Sequence, residues 1–295
     1  MFYTSLPDAE RDKIKTERQW LRKGFVPLCP DAGTVMYSNH FCNGQYRYLT
    51  AEEVRPATDA ELAPYRNAQR EKQHARRQRA ARQKKLLALC AQQRAVDTAA
   101  YEQVVPYRTA VIDVETTGLE FDAEILQVSV LDADSDQCLF DSLVRPYYTT
   151  AWPEAMKVNH ITPEMVSTAP YFHQILPSLN RVLAECKTVV GYNFIDFDRY
   201  YLERFGAVFK GEQVVDVMLM FAAVYGEYCP AYHSFKYKRL SFCADYFGYD
   251  WGTDQAHNSL SDCRATAHCY RRIMDDKYQT LYRDHLQMLE NGLYE

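Results

Sequence analysis

The sequence predicts an α/β fold: a mixed sheet flanked by helices, preceded by a small α+β module and a basic helical linker. Three observations carry this. Three apolar, strand-like runs follow one another through short polar links between residues 109 and 144. Beyond them, helix-like and strand-like segments alternate, as in a sheet with both antiparallel and parallel neighbours. The first run, Thr109-Ala-Val-Ile-Asp-Val-Glu-Thr-Thr-Gly-Leu119, looks interior yet holds two acids. Strand side chains alternate faces, so Asp113 and Glu115 share one. Adjacent carboxylates repel each other and are costly to bury. A divalent cation relieves both problems, and hard oxygen ligands suit Mg²⁺ or Mn²⁺.

Composition narrows the class. The chain has 295 residues, of which 47% are hydrophobic and 23 are Tyr, enough for one large domain and a smaller one. No apolar run approaches the roughly 18 residues that a membrane span needs, so no membrane association is expected. The N-terminus lacks the shape of a signal peptide. Nine scattered cysteines without a CxxC pair point to reduced thiols and a cytoplasmic setting. The net charge of −5 conceals a basic stretch: residues 66–94 hold ten Lys or Arg and one acid, Glu71, so the remainder carries −14.

Taken in order, residues 8–23 read as one charged helix stopped by Gly24. Short strands and turns follow to residue 49, punctuated by Pro27, Pro30, Gly33 and Gly44. Cys29, His40 and Cys42 are metal-ligand types, but their spacing fits no familiar zinc module and a fourth ligand is missing. Residues 1–63 therefore form a small module of unstated role. Residues 64–100 are rich in helix formers, with Pro64 suited to a first turn. Their basic part reads as a solvated linker, as a phosphate-binding arm or, against the absence of sustained a/d heptads, as a partner-binding coiled coil; their end, Leu86-Leu-Ala-Leu-Cys90, can dock on the next domain. A main domain spans 104–277, with a tail over 278–295. Within it, strands are expected at 109–115, 125–131, 138–144, 188–192 and 214–217. Helices are expected at 171–185, 197–205, 217–225, 240–247 and 261–275.

Two further constellations lie downstream. Gly191-Tyr192-Asn193-Phe-Ile-Asp-Phe197-Asp198 puts an amide at a strand end and an acid on the next helix. Asp196 and Asp198 lie about 200° apart around a helix, so only one faces the site; Asp198, beside apolar Phe197, is preferred. His257-Asn-Ser-Leu-Ser-Asp262 leads into a helix. There Ser259 and Asp262 resemble a capping box, which sets Asp262 in the first turn. His257 stands just outside, where a neutral imidazole can move a proton. Asp216, at a strand end, reads as a structural or capping residue, His160, His173 and His268 as packing or surface residues, and Cys263 and Cys269 as structural residues on the buried side of the last helix.

Asp113-x-Glu115-Thr-Thr-Gly, Tyr192-Asn193-x-x-x-Phe197-Asp198 and His257-x-x-x-x-Asp262, in that order, resemble the three motifs of the DEDDh 3′→5′ exonucleases. These are DnaQ-like enzymes of the epsilon proofreading-subunit type. Val158-Asn159-His160-Ile161-Thr162 also looks like the family's segment before its first long helix. The resemblance covers about residues 107–276. It implies a ribonuclease H-like sheet and two Mg²⁺ (or Mn²⁺) ions held by Asp113, Glu115, Asp198 and Asp262, with His257 as general base. Thr116, Gly118 and Leu119 would contact the terminal nucleotide, and Asn193 and Phe197 would shape its pocket. The expected partner is a nucleic acid 3′ end, DNA in preference to RNA, in replication, repair or proofreading and beside a replication or repair protein. The rival readings are an exoribonuclease and an inactive nucleic-acid-binding module.

Overall fold

The computed structural model describes residues 2–38, 44–252 and 257–294. His40 and Cys42 of the Cys/His trio lie outside them. The chain divides into two compact units, Met1–Gln78 and Arg79–Glu295.

The first unit opens with α1 (Asp8–Arg11), β1 (Lys15–Thr16) and α2 (Glu17–Arg22). The single helix expected over 8–23 is thus broken in two. Thr16 is the reason: its hydroxyl accepts from the Gln19 amide while the Gln19 side chain accepts from the Thr16 amide, and this capping box restarts the helix. Next come β2 (Phe25–Pro27), β3 (Thr34–Tyr37), β4 (Gln45–Leu49) and β5 (Val54–Pro56). They pair as a three-stranded sheet, β1-β4-β3, and a separate β2-β5 ribbon. Trp20, Leu49 and Val54 fill the small core, with the Trp20 indole donating to the Leu49 carbonyl at 2.9 Å.

A long helix, α3 (Asp59–Ala100), starts five residues before Pro64. Thr58 and Glu61 cap it reciprocally, a stronger start signal than the proline, which is accommodated inside. Within the second unit its end buries Leu86 and Cys90.

The second unit is built on a five-stranded sheet. Its strands are β6 (Arg108–Thr116), β7 (Ile125–Asp132), β8 (Cys138–Leu143), β9 (Cys186–Gly191) and β10 (Gln213–Asp216). The order is β10-β9-β6-β7-β8. β6 lies in the middle, antiparallel to β7 and parallel to β9. This is the expected ribonuclease H-like mixed sheet. Helices α4 (Pro153–Asn159), α5 (Phe172–Ala184), α6 (Asp198–Arg204), α7 (Val217–Tyr225), α8 (Leu240–Tyr246), α9 (Ser259–Ile273) and α10 (Asp276–Glu290) flank it, with a short hairpin of β11 (Tyr228–Cys229) and β12 (Ser234–Phe235). The residues set apart as a tail therefore form a helix. Its Tyr282, Leu286 and Leu289 pack on Ala222, Ala223 and Phe235.

Alternation along β6 sets the two cores. Ala110, Ile112 and Val114 join Leu86, Cys90, Leu176, Leu179 and Leu202 on one face. Val111 joins Phe221, Cys243, Cys263 and Ala267 on the other. Asp113 and Glu115 share the parity of Val111 and so point toward the α9 side.

One polar junction ties α3 to this body. Asn180, almost fully buried, donates to Asp97 at 2.7 Å and accepts from the Val208 amide at 2.9 Å. Beside it Gly206 has φ +98°, and a Cβ there would lie 2.8 Å from the Cys90 carbonyl oxygen. Gly206→Ala is expected to cost about 2 kcal/mol of stability, from backbone strain and displacement of α3. Equilibrium denaturation measures it, and an unchanged midpoint would refute the tight packing.

Candidate active site

The acids are gathered at the C-terminal end of β6. The carboxylates of Asp113, Glu115 and Asp262 offer oxygen atoms all within 4.8 Å of one another. Asp262 lies in the first turn of α9, as its spacing implies. The cap differs from expectation: Asn258, not Ser259, accepts from the Ser261 amide. Ser259 is instead buried in the helix, its hydroxyl 2.6 Å from that of Ser129 on β7. That bond fastens α9 to the strand beside Asp113, since Ser129 pairs with Asp113 in the register. Cys263 and Cys269 are fully buried in the core, as read.

Asp198 enters from the first turn of α6. It is buried, and its carboxylate accepts the Val114 amide at 2.9 Å. Asp196, its rival, is exposed. The turn before α6 is held by Asp216, which accepts from the amides of Asn193 (3.0 Å), Ile195 (3.2 Å) and Met218 (3.0 Å). One carboxylate thus caps α7 and fixes the left-handed Asn193, φ +61°. Gly191 is needed just before, because a Cβ would meet that of Phe194 at 2.6 Å.

Burial raises every acid of the cluster. Asp113 is pushed well up, by burial first and then by the charges of Asp198, Asp262 and Glu115. Glu115 rises to about 9 for the same reasons, opposed by a hydrogen bond from Asn159. Asp198 rises to about 8 by burial, opposed by the Val114 amide. Asp262 rises to about 7 by burial, opposed by the His257 amide. Asp113 and Glu115 keep some exposure although protein surrounds most of each. Four hard oxygen donors that resist carrying their charge without a counter-ion fit a divalent cation.

His257 is exposed, with φ +67° and its backbone amide donating to Asp262 at 3.1 Å. Its imidazole is held below the usual histidine range by partial burial and by His160 and Arg239. Neutral imidazole is the form that accepts a proton.

A cleft of about 890 Å³ opens beside Glu115. Of the residues expected to contact the nucleotide or shape its pocket, Thr116, Gly118, Leu119 and Phe197 line it and Asn193 does not. Thr116 donates to the Gly118 carbonyl at 2.6 Å and Leu119 is 84% exposed. Two residues that sequence reasoning did not assign shape this turn. Asn159, at the end of α4, donates to the Thr116 carbonyl at 3.1 Å besides contacting Glu115. Glu124, buried, accepts the amides of Tyr147, Tyr148 and Thr149 at 2.6, 3.1 and 2.7 Å, while its own amide donates to Thr117. Asn159 lay inside a segment already noted for its resemblance; Glu124 gave no signal beyond being an acid ahead of a strand.

A family model described as exonuclease (RNase_T) matches residues 110–270, more than half the chain and all of the acids above. The chain belongs to this exonuclease family. Among curated exonuclease relatives, "Uncharacterized exonuclease CP81" of Escherichia phage 186 is 33% identical over 167 residues, 52% of this chain and 82% of that protein. "3′-5′ exonuclease DinG" of Staphylococcus haemolyticus is 28% identical over 165 residues, 54% of this chain but 17% of that protein. Solved structures include exonuclease I of Methylocaldum szegediense, at 19% identity and TM-score 0.47, covering 59% of this chain and 41% of that one. The Pan2 catalytic unit of Neurospora crassa is 17% identical with TM-score 0.46, covering 66% and 31%. Among the described residues, no helix of this exonuclease-family chain is long and apolar enough to cross a membrane.

The raised acids make stability depend on pH. Without metal, the folded state keeps protons on Glu115, Asp198 and Asp262 that the unfolded chain has released. Its stability therefore falls as pH rises from about 4, the unfolded carboxylate value, toward the range of about 7 to 9. The melting temperature in EDTA should drop between about pH 6 and about pH 8, and added Mn²⁺ should raise it more at the higher pH. A melting temperature indifferent to both would rule out a cation at these acids.

Proposed function

We propose that this protein is a metal-dependent 3′→5′ exonuclease that removes nucleoside monophosphates from nucleic acid 3′ ends, DNA in preference to RNA. The observation that carries it is the convergence of Asp113, Glu115 and Asp262, with Asp198 alongside, next to a nucleotide-sized cleft. The names of the staphylococcal relatives support the direction. The likeness of the motifs to those of proofreading subunits supports DNA. Residues 104–277 would act as the exonuclease domain, with 1–63 as an appended module and 64–100 as the basic arm. A reducing cytoplasmic setting beside replication or repair proteins suits the free cysteines and the substrate.

Asp113, Glu115, Asp198 and Asp262 would hold two Mg²⁺ or Mn²⁺ ions. Such a pair supplies an activated water and charge stabilisation at the attacking and leaving oxygens of a phosphodiester. The chain's own residues do the rest. Glu115 and the Thr116–Leu119 turn set the 3′-terminal nucleotide in the cleft, whose apolar walls, Leu119 and Phe197 among them, exclude water from the base and sugar. Asn159 keeps both the Glu115 carboxylate and the Thr116 carbonyl in place. His257, neutral near pH 7, takes the proton of the attacking water at a ring nitrogen, while its backbone amide steadies Asp262.

Single-stranded DNA and RNA labelled at the 5′ end, incubated with protein and Mg²⁺, test this directly. A ladder shortening by single nucleotides, absent from the Asp113→Ala, Glu115→Ala double variant, is expected, with DNA degraded faster. No digestion, or equal digestion by the double variant, would defeat the proposal. His257→Ala should lower kcat by about 100-fold with little change in KM. The wild-type rate should fall at acid pH as His257 protonates, with the limb displaced below the ordinary histidine range by its partial burial and by His160 and Arg239. The variant should lack that limb, and equal turnover in both would remove His257 from the reaction.

A further inference from the structure

We propose that Arg79, on the helix that precedes the family domain, is a substrate-positioning residue: it holds a backbone phosphate of the strand whose 3′ end lies at Glu115. This rests on the nuclease reading above and names how the strand beyond the terminal nucleotide is gripped. Arg79 lies outside residues 110–270, yet it lines the same cleft as Glu115 and the Thr116–Leu119 turn. The other charged residues lining that cleft are Glu115, Glu120, Asp122 and Glu154, all acids. Among the described residues lining the cleft Arg79 is thus the one basic side chain, and it offers an entering polyanion an attraction that the acids do not.

The guanidinium is prepared for this task. It pairs with Asp122 at 3.0 Å and lies over the Tyr148 ring, 5.2 Å from its centroid. Tyr148 is itself fixed, buried and with its hydroxyl donating to the Asp122 carbonyl at 2.6 Å. Asp122 and Tyr148 thus set the direction of the fork, and an arginine has five N–H donors, more than one carboxylate uses. The side chain stays 44% exposed, so a phosphate can reach it. Charge-assisted Arg–phosphate bonds are strong and directional.

Arg79→Gln removes the charge, Arg79→Lys keeps it, and Lys84→Gln removes an equal charge about 140° around the same helix. Binding of a short 5′-fluorescein oligothymidylate is followed by fluorescence anisotropy in EDTA across a salt series, so no hydrolysis is needed. Hydrolysis of the p-nitrophenyl ester of thymidine 5′-monophosphate, which lacks a second phosphate, and the melting temperature are measured alongside. Arg79→Gln should weaken binding about 3- to 10-fold and reduce the salt slope by about 0.7. Ester hydrolysis and melting temperature should stay unchanged, Arg79→Lys should keep the wild-type salt slope but bind with an affinity between wild type and Arg79→Gln, and Lys84→Gln should match wild type. Unchanged affinity and slope in Arg79→Gln would overturn the assignment. So would an equal loss in Lys84→Gln, which would make the effect a general one of helix charge. A joint fall of melting temperature and ester hydrolysis would make Arg79 structural. A wild type that binds the oligonucleotide through Arg79 but hydrolyses neither substrate would retain this assignment and sink the nuclease reading alone.

Discussion

Four carboxylates at the end of one strand dominate this molecule, because mutual repulsion and burial both oppose placing them there. Glu115 rising to about 9 and Asp198 to about 8 express that cost. The fold meets it by aiming backbone amides at the acids: Val114 toward Asp198 and His257 toward Asp262. These bonds favour the charged forms and fix the oxygen positions, but they do not cancel the repulsion. A site of this kind is least comfortable when empty, which links cation affinity to the stability of the fold.

Buried polar side chains do the positioning around it. Asp216 orders the turn that delivers Asp198, Glu124 orders the loop that leads to the cleft wall, and Asn159 joins α4 to the Thr116 turn. Each satisfies backbone groups that would otherwise be orphaned in the interior, so each couples local geometry to stability. Removing Asp216 or Glu124 would shift an active-site element while leaving the four acids in the chain, and removing Asn159 would also take a hydrogen bond from Glu115.

The site acids were legible because the chemistry fixes their spacing. A strand's period of two puts Asp113 beside Glu115, and the first helical turn places Asp262. The sheet was legible because its strands are short, apolar and separated by turns. Other parts were hidden for physical reasons. The break at Thr16 and the early start of α3 at Thr58 depend on reciprocal caps, which weigh less to the eye than Pro64 or Gly24. The α10 stripe of Tyr282, Leu286 and Leu289 has helical spacing, but only the tertiary partners Ala222 and Phe235 show it to be docked. Arg79 could be read as one basic residue among many, because nothing in the sequence says which of them faces a cleft.

The buried end of α3 bears on where this enzyme fold begins. Leu86 and Cys90 are interior residues of the same core as Ile112, and Asp97 is clamped by Asn180. A fragment cut at the family boundary near residue 110 would therefore leave an apolar furrow on its surface and an asparagine stripped of its carboxylate partner. The preceding helix is therefore no detachable tether: its last turns belong to the same core as the sheet. The folded unit thus extends beyond the boundary that similarity alone would draw at residue 110.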